Sequence, residues 1–182
     1  MRRPSSRRPG PARVNPMGQA TNDTSLAARL EALEIERDIL RTLYAYGHAI
    51  DAGDEDRWVD CFTADGRFSA SGRDRAKLGF DVRGREDLAD FVSRHTRRPD
   101  VFHQHVVVEP LVEVDGDRAT CVSYFLVLMR HERAVHVRAF GRYEDELRRE
   151  ADGVWRLHHR HANIDGAGAE LPPIAFARGA GA

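Results

Sequence analysis

The stretch HQHVVVEPLVEVDGDRATCVSYFLVLMR, residues 103–130, decides the fold class. On both sides of Asp115-Gly116-Asp117 the apolar residues alternate with polar ones, which is typical of two strands joined by a tight turn. The same period of two continues downstream. We therefore predict four antiparallel strands, at His103–Val114, Arg118–Arg130, Ala134–Arg149 and Val154–Asn163.

The residues before these strands follow a helical period instead. Apolar residues recur at steps of three, four or seven, and Thr24 is in place to cap the first turn. The predicted buried stripe is Leu26, Leu30, Leu33, Leu40, Leu43 and Ile50. Two shorter helices are predicted at Glu55–Phe62 and from Gly84 onward, and the segment TADGRFSAS between them is interpreted as a turn that leads into a strand. Three helices followed by an antiparallel meander predict an α+β domain whose helices cover one face of a curved sheet.

One domain, residues 24–165, is predicted between two tails. Residues 1–23 are rich in Arg, Pro and Ser and have little to bury, so we expect a disordered basic tail there. Residues 166–182 are predicted to form a flexible tail rich in Gly and Ala. The five arginines of the first tail have no aromatic residues among them, so we expect no nucleic-acid partner.

Hydropathy and cysteine content indicate a cytoplasmic protein. No apolar run approaches the roughly 20 residues that cross a bilayer, so we expect no membrane partner. No apolar segment follows the N-terminal arginines, as one would in a secretory signal. The two cysteines, Cys61 and Cys121, lie inside apolar segments and lack the spacing of a disulfide framework or a zinc site. We expect both to be buried, reduced thiols.

Ionisable residues interrupt the end of the long helix, in YAYGHAIDAGD at residues 44–54. Tyr46 and Asp51 are five residues apart near the last turn, and we expect them to face a pocket between helix and sheet. The pattern leaves an alternative open. Asp51 would then only begin a turn with Gly53, and Tyr46 would be a core aromatic with its hydroxyl at the edge.

Histidines are concentrated on the predicted strands. His103 and His105 share one strand face, as do His159 and His161. Imidazole titrates closest to neutral pH, so a pocket lined with it suits proton transfer. Two strand histidines and a third ligand can also bind zinc or iron, which keeps a metal enzyme as an alternative.

The direction of His105 depends on which strand face is buried. Val106 and Val108 lie on the face opposite His105, and a core on that side would turn the histidine outward. Val107 shares the histidine face, so a sheet covered on both sides would keep His105 inside. A bulge near Pro110 would have the same effect.

Several kinds of chemistry are disfavoured by what the sequence lacks. It contains no Gly-rich phosphate loop, no serine-nucleophile elbow and no paired Cys motif. This argues against nucleotide-dependent catalysis and against covalent serine catalysis.

Four segments resemble the SnoaL-like branch of the nuclear-transport-factor-like superfamily. They are ERDILRTLYAYGHAIDAGDEDRWVDCFTADGRF, HVVVEPLVEVDGDRAT, GRYEDELRRE and DGVWRLHHRHAN, and the similarity runs from about residue 28 to 165. The resemblance implies a cone-shaped α+β fold in which about three N-terminal helices pack on a strongly curved antiparallel sheet that encloses a pocket. It also implies a homo-oligomer, either a dimer or a trimer.

Within the superfamily, the pattern is most similar to scytalone dehydratase, the bile-acid dehydratase and hexachlorocyclohexane dehydrochlorinase. These are cofactor-independent lyases that use an Asp-His pair. The resemblance implies that Asp51 and His105 are this pair, supported by Tyr46 and Arg160. The further residues expected to line the substrate pocket are His103, His131, Trp58 and Phe62.

We therefore predict a dehydratase-like lyase or an isomerase that acts on a small, hydrophobic, cyclic molecule by general acid-base catalysis, with neither metal nor cofactor. The alternative is a non-catalytic protein of the same fold that binds a hydrophobic ligand or serves as a subunit, since fold alone does not determine activity.

Overall fold

A computed structural model describes residues 25–72, 79–95, 102–131 and 133–167, without the side chains of residues 131 and 167. The predicted N-terminal tail lies outside these residues, as does the predicted C-terminal tail after residue 167.

The described residues of the first half of the chain form three helices: α1 at Leu26–Ala52, α2 at Glu55–Asp60 and α3 at Gly84–Ser93. The N-cap of α1 is Ser25, whose hydroxyl accepts a hydrogen bond from the Ala28 N–H, and not the predicted Thr24. Gly53 ends α1 in the left-handed conformation, with φ at 74°, which glycine adopts without strain. Asp54 then caps α2 by accepting a hydrogen bond from the Arg57 N–H.

Six strands form one sheet: β1 at Phe62–Gly72, β2 at Phe80–Arg83, β3 at Phe102–Asp115, β4 at Arg118–His131, β5 at Ala134–Arg149 and β6 at Trp155–Ala167. Their order across the sheet is β2-β1-β6-β5-β4-β3. The four predicted strands are β3 to β6, and their bounds agree with the structure to within a few residues. The α+β class and the packing of the helices on a curved sheet are confirmed.

The sheet is mixed, which corrects the prediction of a wholly antiparallel one. Strand β1 pairs with β6 in parallel, while the other neighbouring strands are antiparallel. The second helix is also two residues shorter than predicted, because Phe62 already opens β1. Strand β2 was not predicted, since its four residues are too short to show a period.

The core lies between the helices and the face of the sheet that they cover. Ile39, Leu43 and Ile50 of α1 are buried there, together with Leu88 of α3. The first half of α1 departs from the prediction, because its leucines do not reach this core. Their exposed fractions are 79% for Leu26, 54% for Leu30 and 64% for Leu33.

A bulge in β3 sets the direction of its side chains. The register with β4 shifts between Val108 and Leu111, and Glu109 has a φ of 51°. Because one extra residue reverses the alternation, Val107 before the bulge and Val112 after it both pack against the core. The first part of β3 therefore turns its odd-numbered residues, His105 among them, towards the helices.

Both cysteines are buried and unpaired, as predicted. Burial raises the pKa of the Cys61 thiol to about 11 and that of Cys121 to about 12. None of the helices in the described part of the chain has the length and apolar character needed to span a membrane.

Candidate active site

The end of α1 crosses the edge strand β3 at very short range. Gly47 lies at the crossing, where a Cβ atom would be only 3.0 Å from the backbone carbonyl oxygen of His105. A glycine here allows the two backbones to approach. The carboxylate of Asp51, one turn further along the helix, is thereby brought to the same strand.

Both carboxylate oxygens of Asp51 contact the same residue, His105. Its Oδ1 is 2.7 Å from His105 Nδ1, and its Oδ2 accepts a hydrogen bond of 2.9 Å from the His105 backbone N–H. An ionised carboxylate can only accept, so Nδ1 carries a proton, and in the neutral ring Nε2 is then the nitrogen with the lone pair. The side chains of Asp51 and His105 are 19% and 11% exposed, so the pair is sheltered but can still be reached.

His103 lies beside this pair on the same strand face. Its Nε2 is 3.5 Å from Asp51 Oδ1, and its side chain is only 5% exposed. The sequence left the choice between His103 and His105 open. In the structure both face Asp51, and His105 makes the closer contact.

A third histidine, His95, completes the cluster and was not predicted. It follows the end of α3, where its backbone N–H donates to the Val92 carbonyl. Its ring centre lies 4.9 Å from that of His103 and 5.5 Å from that of His105. One ring nitrogen from each of the three histidines lies within 4.8 Å of the others. A lone histidine in a polar segment, residues 93–100, offers no sequence signal for this position.

Tyr46 and Arg160 meet deeper in the fold. Arg160 donates from Nε and Nη2 to the two oxygens of Asp145, over 2.8 and 2.7 Å, and both side chains are fully buried. The guanidinium carbon lies 4.2 Å from the ring centre of Tyr46 and 4.1 Å from that of Tyr143. Such a paired, stacked arginine is rigidly held.

Burial determines the protonation states in this second cluster. It raises the pKa of Tyr46 well above its ordinary value and that of Tyr143 to about 12, so both hydroxyls stay protonated. Burial alone lowers the pKa of Arg160, but the Asp145 carboxylate outweighs it and raises that pKa.

The other predicted pocket residues lie in different places. Trp58 and Phe62 are fully buried and pack around Tyr46, with ring centres 5.4 and 6.0 Å from it. They belong to the aromatic core in this structure. The backbone of His131 ends β4 by pairing with Ala134, while its side chain lies outside the described residues.

A groove of about 500 Å³ opens between α1 and β3 and reaches the Asp51–His105 pair. It is lined by Leu43, Tyr44, Gly47, His48, Asp51 and Ala52 from α1 and by Gln104, His105, Val106 and Val107 from β3. A carboxylate–imidazole pair in a part-apolar groove is a suitable arrangement for moving protons on a small molecule.

The second His-x-His pair lies away from this groove. Ser69 Oγ is 2.9 Å from His159 Nε2 and 2.7 Å from His161 Nδ1, so the serine bridges the two rings. These residues belong to β1 and β6. They lie on the sheet face opposite Phe68 and Arg160, which point into the core.

Solved structures identify the class of fold. A Mycobacterium tuberculosis protein of unknown function shares 29% identity over 78% of each chain, with a TM-score of 0.67. An NTF2-like protein with a cystatin-like fold from Novosphingobium aromaticivorans shares 24% identity over 85% of this chain and 96% of that one, also with a TM-score of 0.67. The fold is therefore that of the nuclear-transport-factor-like proteins.

A third similar structure is the β subunit of a putative aromatic-ring-hydroxylating dioxygenase from N. aromaticivorans, with 21% identity, a TM-score of 0.65, and coverage of 79% of this chain and 99% of that one. No curated protein matches the sequence. The family described as SnoaL-like domain matches residues 31–161, and the chain belongs to that family.

Proposed function

We propose that the protein is a cofactor-independent lyase of the dehydratase type, or an isomerase, acting on a small, hydrophobic, cyclic substrate. The observation that supports this most directly is the hydrogen bond of 2.7 Å between Asp51 and His105 Nδ1, made where the groove reaches both residues. Membership of the SnoaL-like family agrees with this class of chemistry.

In this mechanism His105 is the general base. Its Nε2 removes a proton from a substrate carbon next to a carbonyl group, while Asp51 holds the Nδ1 proton and stabilises the imidazolium that forms. The imidazolium then returns the proton, either to a departing hydroxyl, which leaves as water, or to a second carbon. The first outcome is a dehydration and the second an isomerisation. A positioned base of this kind typically contributes a factor of about 100 to 10,000 in rate.

Tyr46 and Arg160 are fully buried and do not line the groove, so they are assigned an electrostatic role at longer range, the stabilisation of developing negative charge. Tyr46 stays protonated and can donate a hydrogen bond, and Arg160 stays charged next to it. The Nε and Nη2 nitrogens of Arg160 bind the carboxylate of Asp145, and Nη1 makes no hydrogen bond to that carboxylate. In a buried, low-dielectric setting a fixed positive charge acts more strongly than it would in water.

The second candidate is a non-catalytic subunit or binding protein. Two observations favour it: one similar structure is a β subunit, and the outer face of β4 exposes Val122 and Tyr124. A protein of this kind would keep its ligand affinity or its assembly when the Asp51–His105 pair is removed.

A screen with a matched pair of variants tests the proposal. The parent protein is incubated with a panel of cyclic β-hydroxy ketones and cyclic enones, and loss of water or movement of the double bond is followed by absorbance. We expect Asp51→Asn to lower turnover by at least about 100-fold. Asp38→Asn makes the same change at an exposed position of α1 and should leave turnover unchanged.

An Asp51→Asn protein that turns over a hit at the parental rate would rule out the pair as the catalytic base. If panel members bind to the parent but none is converted, and Asp51→Asn binds them equally well, the binding-protein alternative replaces the lyase.

A further inference from the structure

We propose that His95, His103 and His105 form a binding site for a divalent transition-metal ion of the zinc type. The proposed acid-base mechanism does not use a metal ion, so this site goes beyond the proposed function. It shares one metal ligand, His105, and the carboxylate of Asp51 beside it with that function.

The distances suit a metal ion after a small adjustment. One nitrogen from each ring lies within 4.8 Å of the others. Zinc binds imidazole nitrogen at about 2.0–2.1 Å, which separates neighbouring nitrogens in a tetrahedral site by about 3.3 Å. The closest nitrogens of the three rings therefore need to approach by at most about 1.5 Å, and turns of the rings determine which nitrogen of each histidine faces the ion.

The scaffold holds two of the three ligands firmly. His103 and His105 lie two residues apart on the same face of β3. This part of β3 is hydrogen-bonded to β4 along its whole length. Their rings are already neighbours, with centres 5.3 Å apart, and both are mostly buried. His95 approaches from the end of α3, so the site joins a helix end to a strand.

Asp51 supplies the outer carboxylate that zinc-binding histidines commonly have. It accepts the Nδ1 proton of His105 at 2.7 Å, so Nε2 is the nitrogen of that ring available to a metal. Its negative charge also lies 3.5 Å from His103 Nε2. The second His-x-His pair lacks this arrangement, since Ser69 and not a carboxylate bridges His159 and His161.

The donor set determines the kind of ion. Three neutral imidazoles suit zinc, cobalt, nickel or copper, whereas magnesium and calcium prefer oxygen ligands. Three protein ligands also leave a fourth tetrahedral position, which the groove would open to water or to a small molecule.

Metal binding would compete with the proposed catalysis. A bound ion occupies the Nε2 lone pair that His105 needs as a base, so the metal-loaded protein should be inactive as a lyase. Removing the ion with a chelator should restore activity. The site would thus make the enzyme sensitive to transition-metal ions.

The test measures metal binding directly, on the full chain and without substrate. Chelator-treated protein is titrated with Co²⁺, followed by its visible absorbance, and then with Zn²⁺ in competition. We expect one ion per chain with tetrahedral absorbance. Asp51→Asn should weaken binding by roughly 10- to 100-fold, as expected for loss of an outer partner, and His95→Ala should weaken it by more.

Two controls keep the result interpretable. His161→Ala removes a histidine from the other pair and should bind metal as the parent does. His95→Gln repeats the loss of the ligand with a side chain of similar size, and thermal unfolding of metal-free samples shows whether either His95 variant still folds.

The proposal is overturned if the parent binds no Co²⁺ or Zn²⁺, or if both folded His95 variants bind as tightly as the parent. These results are independent of the lyase proposal, because no substrate is present. Metal binding without turnover by the metal-free protein would keep the site and reject the lyase, and turnover without metal binding would do the reverse.

Discussion

At the scale of single residues, the buried Asp145–Arg160 pair is the most constrained electrostatic feature of the fold. Both side chains are fully buried, joined by two hydrogen bonds, and stacked between two tyrosine rings. A buried charge without its partner is costly, because the interior cannot solvate it.

Asp145→Asn should therefore destabilise the protein by about 3–5 kcal/mol, the usual cost of breaking a buried ion pair from one side. The measurement is urea unfolding followed by tryptophan fluorescence. Asp152→Asn is the matched control. Asp152 also binds an arginine, Arg156, through two hydrogen bonds, but this pair lies at the solvent-exposed surface. A similar loss of stability in both variants would contradict the prediction.

The sequence predicted some of these residues and missed others, for physical reasons. Asp51 and His105 were predicted because they stand at the end of the first long helix and on the first strand after the helices, as the Asp-His pair of similar lyases does, and the structure brings them into contact. Asp145 was missed because it lies among charged residues in GRYEDELRRE. One signal was present, since Asp145 shares a strand face with Tyr143 and Leu147, both apolar and buried. An acid between two buried residues of one face indicates a buried partner.

At the scale of elements, the approach of α1 to β3 sets the geometry of the candidate site. A glycine inside a helix costs about 1 kcal/mol relative to alanine, so Gly47 weakens α1 by itself. The compensation is the short distance to β3, because an added Cβ would lie 3.0 Å from a strand carbonyl that is fixed in the sheet.

Gly47→Ala should accordingly fail to give the usual gain of about 1 kcal/mol and should destabilise the protein instead. It should also lower activity, because α1 must move away from β3 and carry Asp51 with it. Urea unfolding measures the first effect. Ala32 is exposed on the same helix. The reverse substitution, Ala32→Gly, therefore measures the intrinsic difference in helix stability between alanine and glycine. A Gly47→Ala protein more stable than the parent by about 1 kcal/mol would show that the space between α1 and β3 accommodates a methyl group, and would contradict the prediction.

Long-range pairing explains where the element predictions failed. The strands β3 to β6 follow one another through short turns, so their alternation and turn residues suffice to predict them. Strand β1 pairs in parallel with β6, about 90 residues away in sequence at Ser69 and His161, and no local pattern encodes that partner. Its Asp65-Gly66 step also resembles a turn, whereas the structure accommodates it as an irregularity in the register.

At the scale of the whole molecule, the outer face of the sheet carries exposed apolar side chains. The inner face of β4 carries buried side chains such as Cys121 and Phe125, while Val122 and Tyr124 on its outer face are exposed. Leu111 pairs with Val122 from β3 and is 73% exposed, and Phe140 adds a further exposed ring from β5. Exposed apolar side chains on three neighbouring strands of one sheet face are typical of an interface, although Arg142 and Glu144 of β5 lie among them. It agrees with the expectation of a homo-oligomer.

This surface predicts that the protein is an oligomer. Parent protein should sediment as a dimer or trimer, and Val122→Lys should sediment as a monomer, because a charge at the centre of an apolar interface must be desolvated. The new lysine would lie opposite Glu144 in its own sheet, so strand pairing should survive. Val154→Lys makes the same change at an exposed valine outside this face and should leave the assembly unchanged. A monomeric parent would contradict the prediction. If the Val122→Lys protein stays oligomeric and becomes a monomer only when Leu30→Lys is added, the interface lies instead on the exposed leucines of α1.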